Sequence, residues 1–155
     1  MFVSFTLHRM LLWALLVFPF GASIGAPMDP IEIQPVTLAE ALAAYHEAGE
    51  IEAFQCIHVP AGKSKEAEED QKPIAIEFDQ KIYVRIDGVL RGLDWIGSTH
   101  ERTTFSGRDA RVEVSVLGRA TASAYGESDN RMMRLKVFSG GTGVSFKTFG
   151  VACGI

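Results

Sequence analysis

Cysteine is scarce in this 155-residue chain: there are two, at positions 56 and 153. Neither belongs to a CxxC pair, so the usual redox motif and the usual zinc-finger spacing are both missing. His46-Glu47 has no second histidine four residues on, which excludes the zinc-protease helix. No GxSxG elbow exists: Gly143-Val144-Ser145 lacks the closing glycine. The glycines at 140, 141 and 143 are followed by neither a lysine nor a helix pattern, so no phosphate-binding loop is expected. These absences favour a non-enzymatic reading, with no cofactor and no metal ligands expected.

Long apolar runs are also rare. The one that exists, Leu11 to Phe20, is preceded by His8 and Arg9 and followed by the small residues Gly21, Ala22, Ser23, Gly25 and Ala26. Residues 1–26 contain no Asp or Glu. A basic start, an apolar middle and a small-residue exit is the pattern of a secretory signal peptide. The run is shorter than the roughly 20 residues a spanning helix needs. The expected division is therefore a signal peptide over 1–25, an extended lead-in and short helix over 26–50, and a disulfide-tied β-domain over 51–155. The expected location is secreted or periplasmic, with no stable membrane anchor after cleavage.

In an exported chain an even cysteine pair reads as a disulfide, and two cysteines allow one intramolecular connectivity, Cys56 to Cys153. Charge is unevenly spread. Residues 27–79 hold 12 acidic and 3 basic residues, whereas residues 80–155 hold 7 acidic and 11 basic. An overall charge of −4 argues against nonspecific nucleic-acid binding, which rests on phosphate neutralisation. The basic half reads as a solvated face of alternating Arg and Lys, or as a surface for an anionic partner.

Thr37-Leu38-Ala39-Glu40 fits a capping box, and Leu38, Ala41, Leu42 and Tyr45 follow at helical spacing until Gly49. This predicts a helix of about three turns that packs on a sheet. Strands are expected over 51–59, 74–78, 81–86, 89–93, 99–105, 110–117, 121–125, 131–138 and 144–149. On the first of them, apolar residues on both faces predict that one side meets the core and the other the helix. The period is clearest where Ile82, Val84 and Ile86 alternate with Lys81, Tyr83 and Arg85. Asp87-Gly88 follows as a two-residue hairpin signal. Eight or so short strands with frequent turns predict a mainly β fold, a small antiparallel β-barrel or sandwich with one short N-terminal α-helix. The acidic stretch from Pro60 to Pro73 predicts a long solvated loop.

The richest surface candidate is the stretch from Leu93 to Arg102, read as irregular because of Gly92 and Gly97. Asp94, Trp95, His100, Glu101 and Arg102 form the candidate binding site, since Trp and Arg are favoured in binding hot spots. The alternative for Trp95 is that it plugs one end of the barrel. A second polar candidate spans Tyr125 to Arg131, with Glu127 and Asp129.

In size, disulfide placement and strand richness the chain resembles small exported barrels that inhibit lysozyme. Their Ser-Gly-x-x-Tyr signature is absent, and Ala122 to Gly126 matches it only loosely. The resemblance implies that a binding or inhibitory role suits such a scaffold. The expected function is an exported binding protein that recognises a protein or other macromolecule, as an enzyme inhibitor or immunity-type protein. Two alternatives stand beside it. One is a carrier of a small apolar ligand in a lumen lined by Phe54, Phe78, Phe105, Phe138, Phe146 and Phe149. The other is a hydrolase with an unrecognised site.

Overall fold

A computed structural model describes residues 30–50, 55–62, 72–119, 131–151 and 153. Its elements run β1 (Ile33–Gln34), α1 (Leu38–Glu47), β2 (Gln55–Pro60), β3 (Ala75–Phe78), β4 (Lys81–Ile86), β5 (Val89–Ser98), β6 (Arg102–Ser106), β7 (Ala110–Arg119), β8 (Arg131–Ser139) and β9 (Thr142–Val151). The expected signal peptide, the strand over 121–125 and most of the acidic loop lie outside the described residues.

The strands form one antiparallel sheet in the order β1-β4-β3-β2-β9-β8-β7-β6-β5, and a further β4–β5 pairing closes eight of them into a barrel. This is the mainly β architecture that the alternation predicts, resolved as a barrel and not a sandwich. Closure gives each of the eight barrel strands a partner on both sides along part of its length, so the period-two pattern continues around the wall. Ile82, Val84 and Ile86 point inward from β4, and Val112, Leu135 and Val137 meet them from β7 and β8. Phe105 and Leu93 fill the same interior, and all eight side chains are essentially inaccessible. Each contributes about 1.5–3 kcal/mol by leaving water. The barrel is therefore a packed core at this level.

The Asp87-Gly88 turn forms as its residue types require. Asp87 has φ +49° and Gly88 φ +81°, the left-handed pair that matches strand twist. The lead-in is more ordered than its prolines suggest. Ile33 and Gln34 pair with Ile86 and Arg85, and Asp87 accepts from the Glu32 N–H at 3.0 Å through its side chain.

α1 lies on the outside of the wall. Its capping box is complete: the Glu40 N–H donates to Thr37 Oγ1 at 3.2 Å, and the Thr37 N–H donates to Glu40 Oε2 at 3.0 Å. Arg85 Nη2 donates to the other Glu40 oxygen at 2.7 Å and ties the cap to β4. Ala41 and Tyr45 pack on Ile76, Phe78 and Tyr83, with the Tyr45 and Phe78 rings 4.8 Å apart. The helix thus covers β3 and β4. Of the first expected strand, residues 55–59 are described: Cys56 and His58 turn into the barrel, and among the described residues the apolar cluster under the helix draws on β3, β4 and Leu90 of β5. Tyr83 is buried by the helix although the alternation places it on the polar face.

Cys56 on β2 and Cys153 just beyond β9 are disulfide-bonded, with Cα atoms 4.3 Å apart. β2 and β9 are hydrogen-bonded neighbours, Ile57 opposite Val151. The bond therefore reinforces an existing strand pair near one end of the barrel.

Candidate functional site

The barrel end that holds the disulfide also holds the β3–β4 turn at Asp79-Gln80 and the β5–β6 hairpin. Strand directions bring the ends of β5 and β7 to the same rim. This end is the mouth of the barrel.

The stretch from Leu93 to Ser98 is strand and not loop. β5 continues past the last paired residue of β4, and Gly92 and Gly97 sit within it. The register against β6 shifts between Trp95 and Gly97, so Ile96 is the extra residue of a β-bulge. The Thr99 N–H donates to the Arg102 carbonyl at 2.7 Å and closes the hairpin. The register sets Trp95 opposite Phe105, on the face that Leu93 turns inward, at the level of the rim. The Trp95 indole N–H donates to Ser98 Oγ at 3.0 Å, the Ser98 hydroxyl reaches Thr103 Oγ1 at 3.3 Å, and Trp95 is 43% exposed.

The five candidate residues separate into two hollows. Asp94 and Trp95 border one of about 330 Å³ on the outer flank of the mouth, with Tyr45, Glu50, Asp79, Gln80 and Lys81. Lys81 is ion-paired with Asp94 there, and that hydrogen bond raises the Lys81 pKa above its usual range. Burial raises the Tyr45 hydroxyl, keeping it protonated. His100, Glu101 and Arg102 border the other hollow, of about 250 Å³, which opens into the barrel itself. Its walls include Glu77, Arg131 and the disulfide. Arg102 and Arg111 share the Glu113 carboxylate at 3.5 and 3.4 Å. Of the second candidate stretch, Arg131 is described and reaches this hollow.

Several contributors escape sequence reasoning. The five exposed large hydrophobic residues among those described are Val89, Trp95, Ile96, Val116 and Leu117, and all but Val89 stand at the mouth. Val116 continues the inward alternation of Val112 and Val114, yet it lies beyond the covered part of the wall. Periodicity names a face and not the height at which a barrel ends. The inner wall also carries His58, fully buried, with Nε2 3.4 Å from Glu77 Oε2. Cys56, His58 and Glu77 place one potential ligand atom each within 4.8 Å of one another.

The phenylalanines named for a carrier lumen do not share one space. Phe105 and Phe146 face the core, whereas Phe78 packs under the helix and Phe138 lies beneath the Arg111 guanidinium, 4.6 Å from its ring centre. Phe54 lies outside the described residues. No protein-family model, curated protein or solved structure matches the chain. Among the described residues no helix is long and apolar enough to cross a membrane.

Proposed function

We propose that this chain is an exported binding protein that recognises a macromolecular partner, a protein in the first instance, through the mouth of its barrel. One observation carries the reading: Trp95, Ile96, Val116 and Leu117 are all exposed, and they flank the hairpin that bears His100, Glu101 and Arg102. Apolar anchors around polar, charged groups are the composition of a protein-recognition surface. Leaving four large apolar side chains in water at one end is unfavourable unless something covers them. The basic, apolar, small-residue N-terminus and the disulfide support export. The filled interior around Phe105 and Leu135 favours surface recognition over carriage of an apolar ligand.

The test compares the immobilised wild-type protein with Ile96→Asp and Leu117→Asp variants against the extracytoplasmic fraction of the native cell. Both changes are on exposed side chains, so the fold should persist, as circular dichroism would verify. A saturable partner held by the wild type and lost by the variants is expected. Identical retention by all three would remove the mouth as the binding surface.

A further inference from the structure

Three donor atoms meet on the inner wall because of strand register. Cys56 and His58 are two residues apart on β2 and share its inward face, and Glu77 on β3 is the direct cross-strand partner of Cys56. The Cys153 sulfur is bonded to that of Cys56 and adds a fourth donor next to the first. We propose that these four residues form a latent zinc site, masked by the disulfide and opened when it is reduced.

The donor chemistry selects the metal. Two thiolates, an imidazole and a carboxylate are all zinc ligands, and thiolate with imidazole disfavours magnesium and calcium. Tetrahedral zinc, with bonds of roughly 2.0–2.3 Å, needs donors roughly 3.3–3.8 Å apart. The spread of 4.8 Å or less among Cys56, His58 and Glu77 requires side-chain adjustments of about an ångström, and the Cys153 sulfur, once released from Cys56, must turn to the same centre. A second observation points to a ligand as well. His58 is wholly buried, yet its Nδ1 has no hydrogen-bond partner among the described residues and its Nε2 makes one long contact with Glu77. A buried imidazole held by a single 3.4 Å contact is costly in an apolar wall, and metal coordination by a ring nitrogen offsets part of that cost. Cys56, Glu77 and Cys153 also line the hollow at the mouth, which gives an ion and a reductant a path from solvent.

The opening step balances with a dithiol reductant. It delivers two electrons and two protons, the Cys56–Cys153 bond breaks to two thiols, and the reductant's own sulfurs close as a disulfide. Zinc then binds the two sulfurs as thiolates and releases both protons to solvent. His58 coordinates as the neutral imidazole, through the lone pair of one ring nitrogen with its proton on the other. The metal undergoes no redox change.

Cobalt(II) serves as the spectroscopic probe, titrated under argon into the full chain reduced with a phosphine, and into the oxidised chain. One cobalt per reduced chain is expected, with thiolate-to-metal absorption in the near ultraviolet, displaced by zinc, and none for the oxidised chain. Zinc should also raise the melting temperature of the reduced protein. His58→Ala and Glu77→Gln should each weaken binding tenfold or more. Glu77→Gln preserves side-chain size, so it decides the matter if His58→Ala does not fold. The proposal is overturned if the reduced chain binds no stoichiometric metal, if the oxidised chain binds it equally, or if Glu77→Gln leaves the affinity unchanged.

Discussion

Gly150 faces His58 across the β9–β2 ladder, and a β-carbon placed on it would stand 2.5 Å from the Cys153 sulfur. The same β-carbon would lie 3.0 Å from Met133 Sδ and Cε. The disulfide therefore occupies space that only glycine at 150 leaves open. Gly150→Ala should destabilise the oxidised protein by about 1–3 kcal/mol through overpacking. The penalty should shrink when Cys153→Ala is made as well. Urea unfolding of the single and double variants measures this coupling, and a purely additive result would contradict the packing argument.

The disulfide itself closes a 97-residue separation. The chain-entropy description puts its contribution at about 4–5 kcal/mol for a loop of this length. Cys56→Ser and Cys153→Ser should each lower the melting temperature of the oxidised protein, and the double variant should be about as stable as either single one. Free-thiol counting by mass spectrometry should find none in the wild type.

Glu40 sets a pH dependence. The Thr37 backbone N–H, the Thr37 hydroxyl and the Arg85 guanidinium hold its carboxyl below the ordinary value of 4.5. A carboxyl depressed in the folded state contributes stability above its unfolded pKa and loses it as pH falls through the folded pKa. Glu40→Gln should therefore cost stability at neutral pH, and the difference from wild type should vanish in acid below the carboxylate range. Urea midpoints recorded from pH 7 to pH 3 test the trend. A difference that stays constant over that range would show that the cap's charge is not its source.

On the outer wall Arg134 of β8 stands directly opposite Lys147 of β9, and both are exposed. Like charges in register are unfavourable, and opposite charges contribute roughly 0.2–1 kcal/mol. Lys147→Glu should raise stability by an amount in that range at low salt, and the gain should fall as salt is added. Unchanged or lower stability would mean that the pair is fully screened by solvent.

Much of the wall was legible in the sequence. The inward residues of β4, β7 and β8 follow from alternation, and each of Ile82, Val112, Val114, Leu135 and Val137 is buried as that alternation requires. The hairpin at Asp87-Gly88 and the Thr37–Glu40 cap follow from local chemistry. Less could be read of the candidate site. Gly92 and Gly97 suggested a loop, but cross-strand pairing with β6 keeps β5 extended through Ser98, with the mismatch absorbed by a bulge. Asp94 turns to the outer face, where it meets Lys81, whereas His100, Glu101 and Arg102 of the hairpin border the hollow beside the disulfide.

The amino-acid order by itself determined what depends on near neighbours or on elimination: the strand period, the turn, the helix cap and the single possible cysteine pairing. Tertiary structure decided what depends on distant segments meeting. Barrel closure set the height of the rim, and so left Trp95, Ile96, Val116 and Leu117 outside the covered wall. The β2–β3 register brought His58 and Glu77 together beside the disulfide. A period of two records which face a side chain takes, and only the pairing of strands far apart in the chain determines what that face meets.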